Sequence, residues 1–209
     1  MKKILSMLLV LSMLLGCSVA MAMEVQVIGG PDTETEPVSL DDIQLNAEAD
    51  IEGYGTLFPT EFAFADWLGY YKAGKTEVDW YNFQYQSGQD AEYAILRMDI
   101  TNTSTKPRDF LTNCEVKMVY DDLYEYAGWF YQVNYNNATY NDNGRFGVDS
   151  KQQNYRWAIN AADNFAIDPM YQGHYIFGCT VPNAVVNGKK PLRLVITIDG
   201  NEITYNVRK

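Results

Sequence analysis

The stretch Ala91-Glu-Tyr-Ala-Ile-Leu-Arg-Met-Asp-Ile-Thr-Asn-Thr-Ser104 decides the fold class of this chain. Alternate residues of the stretch fall on opposite faces of an extended strand, with Ala94, Leu96, Met98 and Ile100 on one face and Tyr93, Arg97 and Asp99 on the other. This period of two predicts a strand whose apolar face lies on a core. The strand should end in a turn, because the side chains of Asn102, Thr103 and Ser104 can bond their own backbone and Pro107 cannot continue a ladder.

Composition favours one all-β domain. The chain has 209 residues, of which 47% are hydrophobic, and this is enough for one well-buried core. Sixteen Tyr, nine Phe and four Trp enrich it in side chains that suit strands and interfaces. A formal charge of −11 argues against a nucleic-acid surface, which needs basic side chains to displace counterions from phosphates.

Later segments repeat the alternation and complete the predicted sheet. Strands are expected in residues 114–120, 155–160, 175–181, 192–198 and 203–207, and Asp199-Gly200 should form the turn of the last hairpin. Such spacing without helical periodicity predicts a sandwich of two antiparallel sheets over residues 56–209.

The first 22 residues are typical of a targeting segment. Lys2 and Lys3 precede an apolar run too short for a comfortable membrane span. The run ends in Leu14-Leu15-Gly16-Cys17, which resembles the lipobox of bacterial lipoproteins. The resemblance implies cleavage after Gly16, lipid on Cys17, and a domain anchored on the extracellular face of the cell membrane. The alternative is ordinary secretion by cleavage after Ala22 in Ala20-Met21-Ala22.

Residues 23–55 are expected to form a flexible acidic tether. The segment has low apolar density, breaks at Gly29-Gly30-Pro31 and Pro37, and carries nine acids with no Lys or Arg. Like charges repel one another, and so little apolar surface cannot offset the loss of chain entropy on folding.

Two cysteines remain if Cys17 carries lipid. Cys114 and Cys179 each lie on the apolar face of a predicted strand, so a disulfide between facing sheets is attainable in an extracellular compartment. The alternative is two buried free thiols.

The strand ends resemble a bacterial domain family. The Asp99-Ile-Thr-Asn-Thr-Ser104 strand end, Val181-Pro-Asn183 and the last hairpin are similar to the immunoglobulin-like (telokin-like) domains of unknown function found in lipoproteins of Gram-positive bacteria. Trp129 between the two cysteines adds a partial likeness to immunoglobulin domains. The resemblance implies an immunoglobulin-like sandwich and says almost nothing about function.

No catalytic, cofactor or metal set emerges from the sequence. The presence of a single histidine, His174, removes most hydrolytic and metal chemistry from consideration. His174 itself is expected at an exposed or rim position. Asn141-Asp-Asn-Gly144 fails as a calcium loop, because Thr139 and Ser150 would stand where acids are required. We therefore expect a protein that is not an enzyme and needs no cofactor.

Aromatic residues between 121 and 157 form the one candidate binding site. Exposed tyrosine and tryptophan among asparagines can stack on sugar rings or fill a protein interface, and the candidates are Tyr126, Trp129, Tyr131, Tyr135 and Trp157. The alternative is that these side chains fill the core and the sheet edges.

The sequence thus favours a cell-surface lipoprotein with a non-catalytic binding or adhesion module for a protein partner. One alternative is a carbohydrate-binding module for wall or host glycans. Another is a structural spacer or an accessory subunit of an envelope complex. The positions of the aromatic side chains should distinguish these functions, because an exposed coplanar cluster suits a glycan and an apolar patch suits a protein.

Overall fold

A computed structural model describes residues 36–71, 78–81, 87–133, 156–159 and 166–209. All of them belong to one compact unit, Pro31–Lys209. The strands are β1 Ser39–Leu40, β2 Ala49–Ile51, β3 Gly55–Ala65, β4 Trp67–Tyr71, β5 Val78–Tyr81, β6 Ala91–Asn102, β7 Cys114–Tyr120, β8 Tyr124–Gln132, β9 Arg156–Ile159, β10 Gln172–Pro182, β11 Leu192–Ile198 and β12 Asn201–Arg208. A four-residue helix, α1, spans Asn183–Val186. The prediction of a mostly-β domain is confirmed.

Nine strands form a single mixed sheet in the order β1-β12-β11-β7-β8-β10-β6-β3-β2. The β1–β12 pair is parallel and the other neighbours in this sheet are antiparallel. The sheet is nearly closed into a barrel, since the Phe62 ring of β3 lies 5.3 Å from the Tyr205 ring of β12 between centroids. The prediction of two separate antiparallel sheets is therefore only partly right.

Strand β8 joins what would otherwise be two sheets. Residues 124–127 of β8 pair with β7, and residues 128–132 pair with β10. The change of partner falls at Gly128, where an added Cβ would lie 2.6 Å from Val116 Cγ1 and 2.7 Å from the Gly178 carbonyl oxygen. Only a residue without a Cβ lets the two neighbouring strands come this close, so a glycine turns the corner of the sheet.

Strand β6 lies at the centre of the fold and is buried on both faces. Its Ala94, Leu96, Met98 and Ile100 are fully buried in the main core, which confirms the predicted apolar face. The opposite face carries a second buried cluster made of Ala63, Ala65, Leu68, Tyr93, Ile95, Val133 and Ile176. A second, three-stranded sheet has β4 at its centre, with β5 antiparallel on one side and β9 parallel on the other. Leu68 of β4 belongs to this second cluster. The sequence indicated one buried face, because the polar Arg97 and Asp99 interrupt the other.

Residues 36–55 belong to the domain, although their composition predicted a tether. Ile43, Ile51 and Tyr54 are widely spaced in sequence, yet each is buried in the main core. The acid Asp42 is a turn residue with φ 63°, and its carboxylate accepts a hydrogen bond from the Asn206 side chain at 2.9 Å. Specific partners, rather than high apolar density, fix this segment. Residues 1–35, including Cys17, lie outside the described residues.

We expect Gly128→Ala to destabilise the protein by about 2–3 kcal/mol, because the new methyl group overlaps backbone as well as side-chain atoms. Urea unfolding followed by circular dichroism measures the loss. Gly88→Ala is the matched control: Gly88 has φ 67° with open space around its Cβ position, so only the backbone cost of about 1 kcal/mol applies. Equal losses for the two variants would contradict the corner role of Gly128.

Candidate functional site

The C-terminal end of β6 is held by one fully buried asparagine. The Asn102 side-chain amide donates to the carbonyl oxygens of Lys106 at 2.8 Å and Ile167 at 2.7 Å. Its Oδ1 accepts from the backbone N–H of Ser104 at 3.0 Å and from the Ser104 hydroxyl at 2.6 Å. Both donors and both acceptor positions of the amide are thus used, as the burial of a polar side chain requires. We call this arrangement the Asn102 hub.

The backbone of the hub extends the β6–β10 ladder into a tight turn. Asn102 N–H donates to the Tyr171 carbonyl at 2.9 Å, and Met170 N–H donates to the Asn102 carbonyl at 2.7 Å. Tyr171 N–H also donates to the Asp168 carbonyl at 3.0 Å, which closes a β-turn over residues 168–171. Pro169 at the second position and Met170 with φ 65° at the third define a type II turn.

Met170 occupies the turn position that normally belongs to glycine. A side chain at positive φ costs about 1–2 kcal/mol, because Cβ approaches the following carbonyl oxygen. The backbone hydrogen bonds of the turn nevertheless hold this conformation. The burial of Ile167 and Pro169 also keeps the turn packed against the domain. The fold therefore holds a methionine in a strained conformation rather than avoiding it.

The turn presents two large apolar side chains to solvent. Met170 is 74% exposed and Tyr171 is 60% exposed. We call Met170 and Tyr171 the exposed turn pair. A rigid backbone with adjacent apolar and aromatic side chains on its surface is the arrangement that protein interfaces use for anchor residues.

A polar network holds the loops next to this turn. The Asp199 carboxylate accepts from the Tyr54 hydroxyl at 2.9 Å and from the Asn113 amide at 2.9 Å, and it lies 3.4 Å from Arg108 Nη1. Burial, together with the negative Asp199, raises the pKa of the Tyr54 hydroxyl far above its ordinary value. Arg108 also exchanges backbone hydrogen bonds with Ile167 at 3.0 and 2.8 Å, which links the network to the turn.

The aromatic candidates that the structure describes do not form an exposed platform. Tyr126 is half-buried against the main core, while Trp129 and Tyr131 are half-buried against the second cluster. The Trp129 and Tyr131 rings are 5.7 Å apart between centroids and are inclined at 49°, so they are not coplanar. Trp129 lies over Gly178, where a Cβ would come within 2.5 Å of the indole. Tyr135 and the side chain of Trp157 lie outside the described part of the chain.

Cys114 and Cys179 are free thiols, so the predicted disulfide is absent. Cys179 Sγ lies near the Gly128 corner beside Val116, two residues along β7 from Cys114. One such step along a strand covers about 7 Å, which leaves the sulfur atoms out of register for a bond. Burial raises the pKa of each thiol to about 12, and Asp199 adds to the rise at Cys114. Both groups are therefore protonated and weakly nucleophilic near neutral pH.

His174 pairs with a carboxylate across two strands. Its Nδ1 lies 2.8 Å from Asp99 Oδ1, and the two residues are register partners of β10 and β6. Both side chains are partly buried rather than fully exposed. The contact is a cross-strand pair of the kind that stabilises sheets, and the register of the two strands accounts for it.

The described residues hold neither a candidate metal cluster nor a helix that could cross a membrane. No group of three His, Cys, Asp or Glu side chains in them could hold a metal ion. In that same part of the chain, no helix has the length and apolar character needed to cross a membrane.

A second pair of exposed apolar residues lies at the opposite end of the sheet. Leu123 and Tyr124 follow a turn in which Asp121 and Asp122 both have positive φ. The Tyr124 ring leans on Tyr120, with centroids 6.3 Å apart. This hairpin tip is held by ion pairs of Asp121 with Lys190 and of Asp122 with Arg193, whose side chains are partly to largely exposed, whereas the Asn102 side chain that supports the exposed turn pair is buried.

Sequence reasoning missed the exposed turn pair. Pro169 is a turn signal, but methionine is not among the residues that favour the third position of a type II turn. The Asn102 hub was visible in part, because asparagine and serine at a strand end predict a local turn. The long-range bond from Asn102 to Ile167 has no sequence signal.

Comparison with known proteins supports the fold alone. No protein-family model matches the chain, and no protein of curated function matches it. The crystal structure of an uncharacterized β-sandwich protein from Clostridium difficile is similar with a TM-score of 0.53 at 15% identity, covering 84% of this chain and 99% of that one. A conserved hypothetical protein from Bacillus anthracis reaches a TM-score of 0.47 at 9% identity, covering 78% and 94%, which is too weak to support an argument. Both organisms are Gram-positive bacteria.

We expect Asn102→Ala to destabilise the protein by about 2–4 kcal/mol, because the Lys106 and Ile167 carbonyl oxygens each lose a buried donor and the Ser104 backbone N–H loses its acceptor. Urea unfolding measures the change. The control is Asn187→Ala, an exposed asparagine with one local bond to the Asn183 carbonyl, for which a loss of about 0.5 kcal/mol is expected. A similar small loss for Asn102→Ala would show that the hub does not hold this end of the sheet.

Proposed function

We propose that the chain is a surface lipoprotein of a Gram-positive bacterium whose domain is a non-catalytic binding or adhesion module for a protein partner. The observation that supports this function most is the exposed turn pair. Met170 and Tyr171 are adjacent, largely exposed, and fixed by backbone bonds to the buried Asn102. Because the turn is already ordered, binding a partner through it costs little conformational entropy.

The strain at Met170 adds to this support. Glycine at position 170 would relieve the strain of the positive φ, yet the chain carries a long apolar side chain at this position. Tyr171 adds a rigid amphipathic ring, which buries contact area at low entropic cost. Together they suit an anchor that enters a shallow apolar pocket of a protein.

The membrane part of the proposal concerns residues outside the described part of the chain. Leu14-Leu15-Gly16-Cys17 supports lipid on Cys17 and a place on the extracellular face of the cell membrane. The immunoglobulin-like (telokin-like) relationship is also proposed here, and the Asn102 hub supports it because the hub explains the Asn102-Thr-Ser104 strand end that carries the resemblance.

The two alternative functions have less support. A glycan platform needs exposed rings in one plane, whereas Trp129 and Tyr131 are half-buried and inclined to each other. A passive spacer does not require a strained, exposed apolar turn. Both alternatives stay predictions.

Site-specific cross-linking tests the protein partner. A photoreactive benzoyl-phenylalanine replaces Tyr171 in the full-length protein, which is then illuminated in native envelope. We expect one discrete protein adduct from position 171 and none from the matched position Tyr124 at the opposite end. Adducts of equal yield from both positions, or none from position 171, would argue against this surface.

Met170→Gly separates the fold from the function of the turn. Removing the side chain relieves the left-handed strain, while glycine also adds entropy to the unfolded chain, so we expect a stability equal to wild type or higher by up to about 1 kcal/mol. The adduct from position 171 should be lost in the same variant and kept in Met170→Leu. A Met170→Gly protein that is stable and still forms the adduct would rule out Met170 as an anchor.

Mass spectrometry of the native N-terminus tests the anchor. We expect a mature chain that begins at Cys17 and carries acyl chains, because stable anchoring needs more than one of them. A mature chain that begins at Met23 would show that the protein is secreted by cleavage after Ala22 and carries no lipid anchor. Cys17→Ser serves as the control and should abolish membrane association.

A further inference from the structure

We propose that Met170 is an oxidation site, and that conversion of its thioether to the sulfoxide weakens partner binding by the exposed turn pair. The regulatory half of this inference rests on the function proposed above. The chemical half rests on the exposure of the described methionines alone. Met98 and Met118 are fully buried in the main core, whereas Met170 is 74% exposed.

The turn keeps the Met170 thioether available to small oxidants. Met170 N–H donates a hydrogen bond to the Asn102 carbonyl oxygen. The Tyr171 carbonyl oxygen accepts from Asn102 N–H, and Tyr171 N–H donates to the Asp168 carbonyl oxygen. The backbone therefore cannot rotate to fold this side chain into the core without breaking a buried ladder. Accessibility is a fixed property of the turn, and accessibility governs how fast a methionine is oxidised.

The reaction needs a two-electron oxidant, which we name as a peroxide. A lone pair on Met170 Sδ attacks the nearer oxygen of hydrogen peroxide, an S–O bond forms, and the O–O bond breaks. The leaving hydroxide combines with the remaining peroxide proton to give water. Sulfur loses two electrons and the peroxide is reduced by two, so the products are methionine sulfoxide and one water molecule.

Oxidation changes the property on which the proposed interface depends. The thioether is apolar and polarizable, while the sulfoxide is polar and a strong hydrogen-bond acceptor. If the partner's pocket is apolar and offers no hydrogen-bond donor, burying the sulfoxide oxygen in it costs desolvation free energy and weakens binding. A methionine sulfoxide reductase restores the thioether with two electrons and two protons from a dithiol, which becomes a disulfide as water is released, so the change is reversible.

The first arm of the test measures the chemistry on the protein alone. Full-length wild type is treated with hydrogen peroxide, and peptides that contain residues 98, 118 and 170 are followed by mass spectrometry over time. We expect Met170 to be oxidised about tenfold faster, or more, than Met98 and Met118. Similar rates at the three positions would overturn the proposal.

The second arm measures binding. Protein with the photoreactive group at position 171 is oxidised, freed of peroxide with catalase, and then added to native envelope. We expect the adduct to fall about tenfold, to return after methionine sulfoxide reductase, and to be unchanged by peroxide in Met170→Leu. An adduct that is unaffected by oxidation of Met170, or that falls equally in Met170→Leu, would overturn the switch.

The two arms keep two failures apart. If untreated protein forms no adduct, the proposed partner function fails and the regulatory half fails with it. The mass-spectrometric rates decide the chemical half in either case, because they require no partner.

Discussion

The structure depends on the four side-chain hydrogen bonds of the buried Asn102. A side-chain amide placed where β6 ends is costly to bury unless each of its donors and acceptors finds a partner. The local partner is Ser104, two residues further along the chain, and the distant one is the Ile167 carbonyl. By joining these, one residue ends the central strand, fixes the start of the neighbouring β10, and orders the loop that follows.

This constraint explains why the strained turn persists. A methionine at positive φ would relax if its backbone were free, but Met170 and Tyr171 share the ladder of Asn102. The hydrogen bonds of the hub thus stabilise the turn enough to offset the strain at Met170 and the exposure of two apolar side chains to water. Strain of this kind is common where a surface is organised in advance for a ligand.

The near closure of the sheet depends on a second local feature, the glycine at which strand β8 changes its partner. Strand β8 leaves β7 for β10 at Gly128, where the neighbouring backbone and the Cys179 sulfur come too close for any Cβ. One consequence is a nearly closed barrel with β6 buried on both faces. Another is that Trp129 and Tyr131, just after the corner, pack against the second cluster instead of forming a flat surface for sugars.

The sequence by itself determined strands β6, β7 and β9 to β12, the Asp199-Gly200 hairpin and the apolar face of β6, because alternation and turn chemistry act between residues near in sequence. Only the tertiary structure decided that residues 36–55 join the sheet, that Cys114 and Cys179 stay apart, and that Met170 and Tyr171 are exposed. These features depend on strand order and register, which set which distant atoms meet. A pattern of single residues records which side chains prefer burial, but it does not record which partner each one meets.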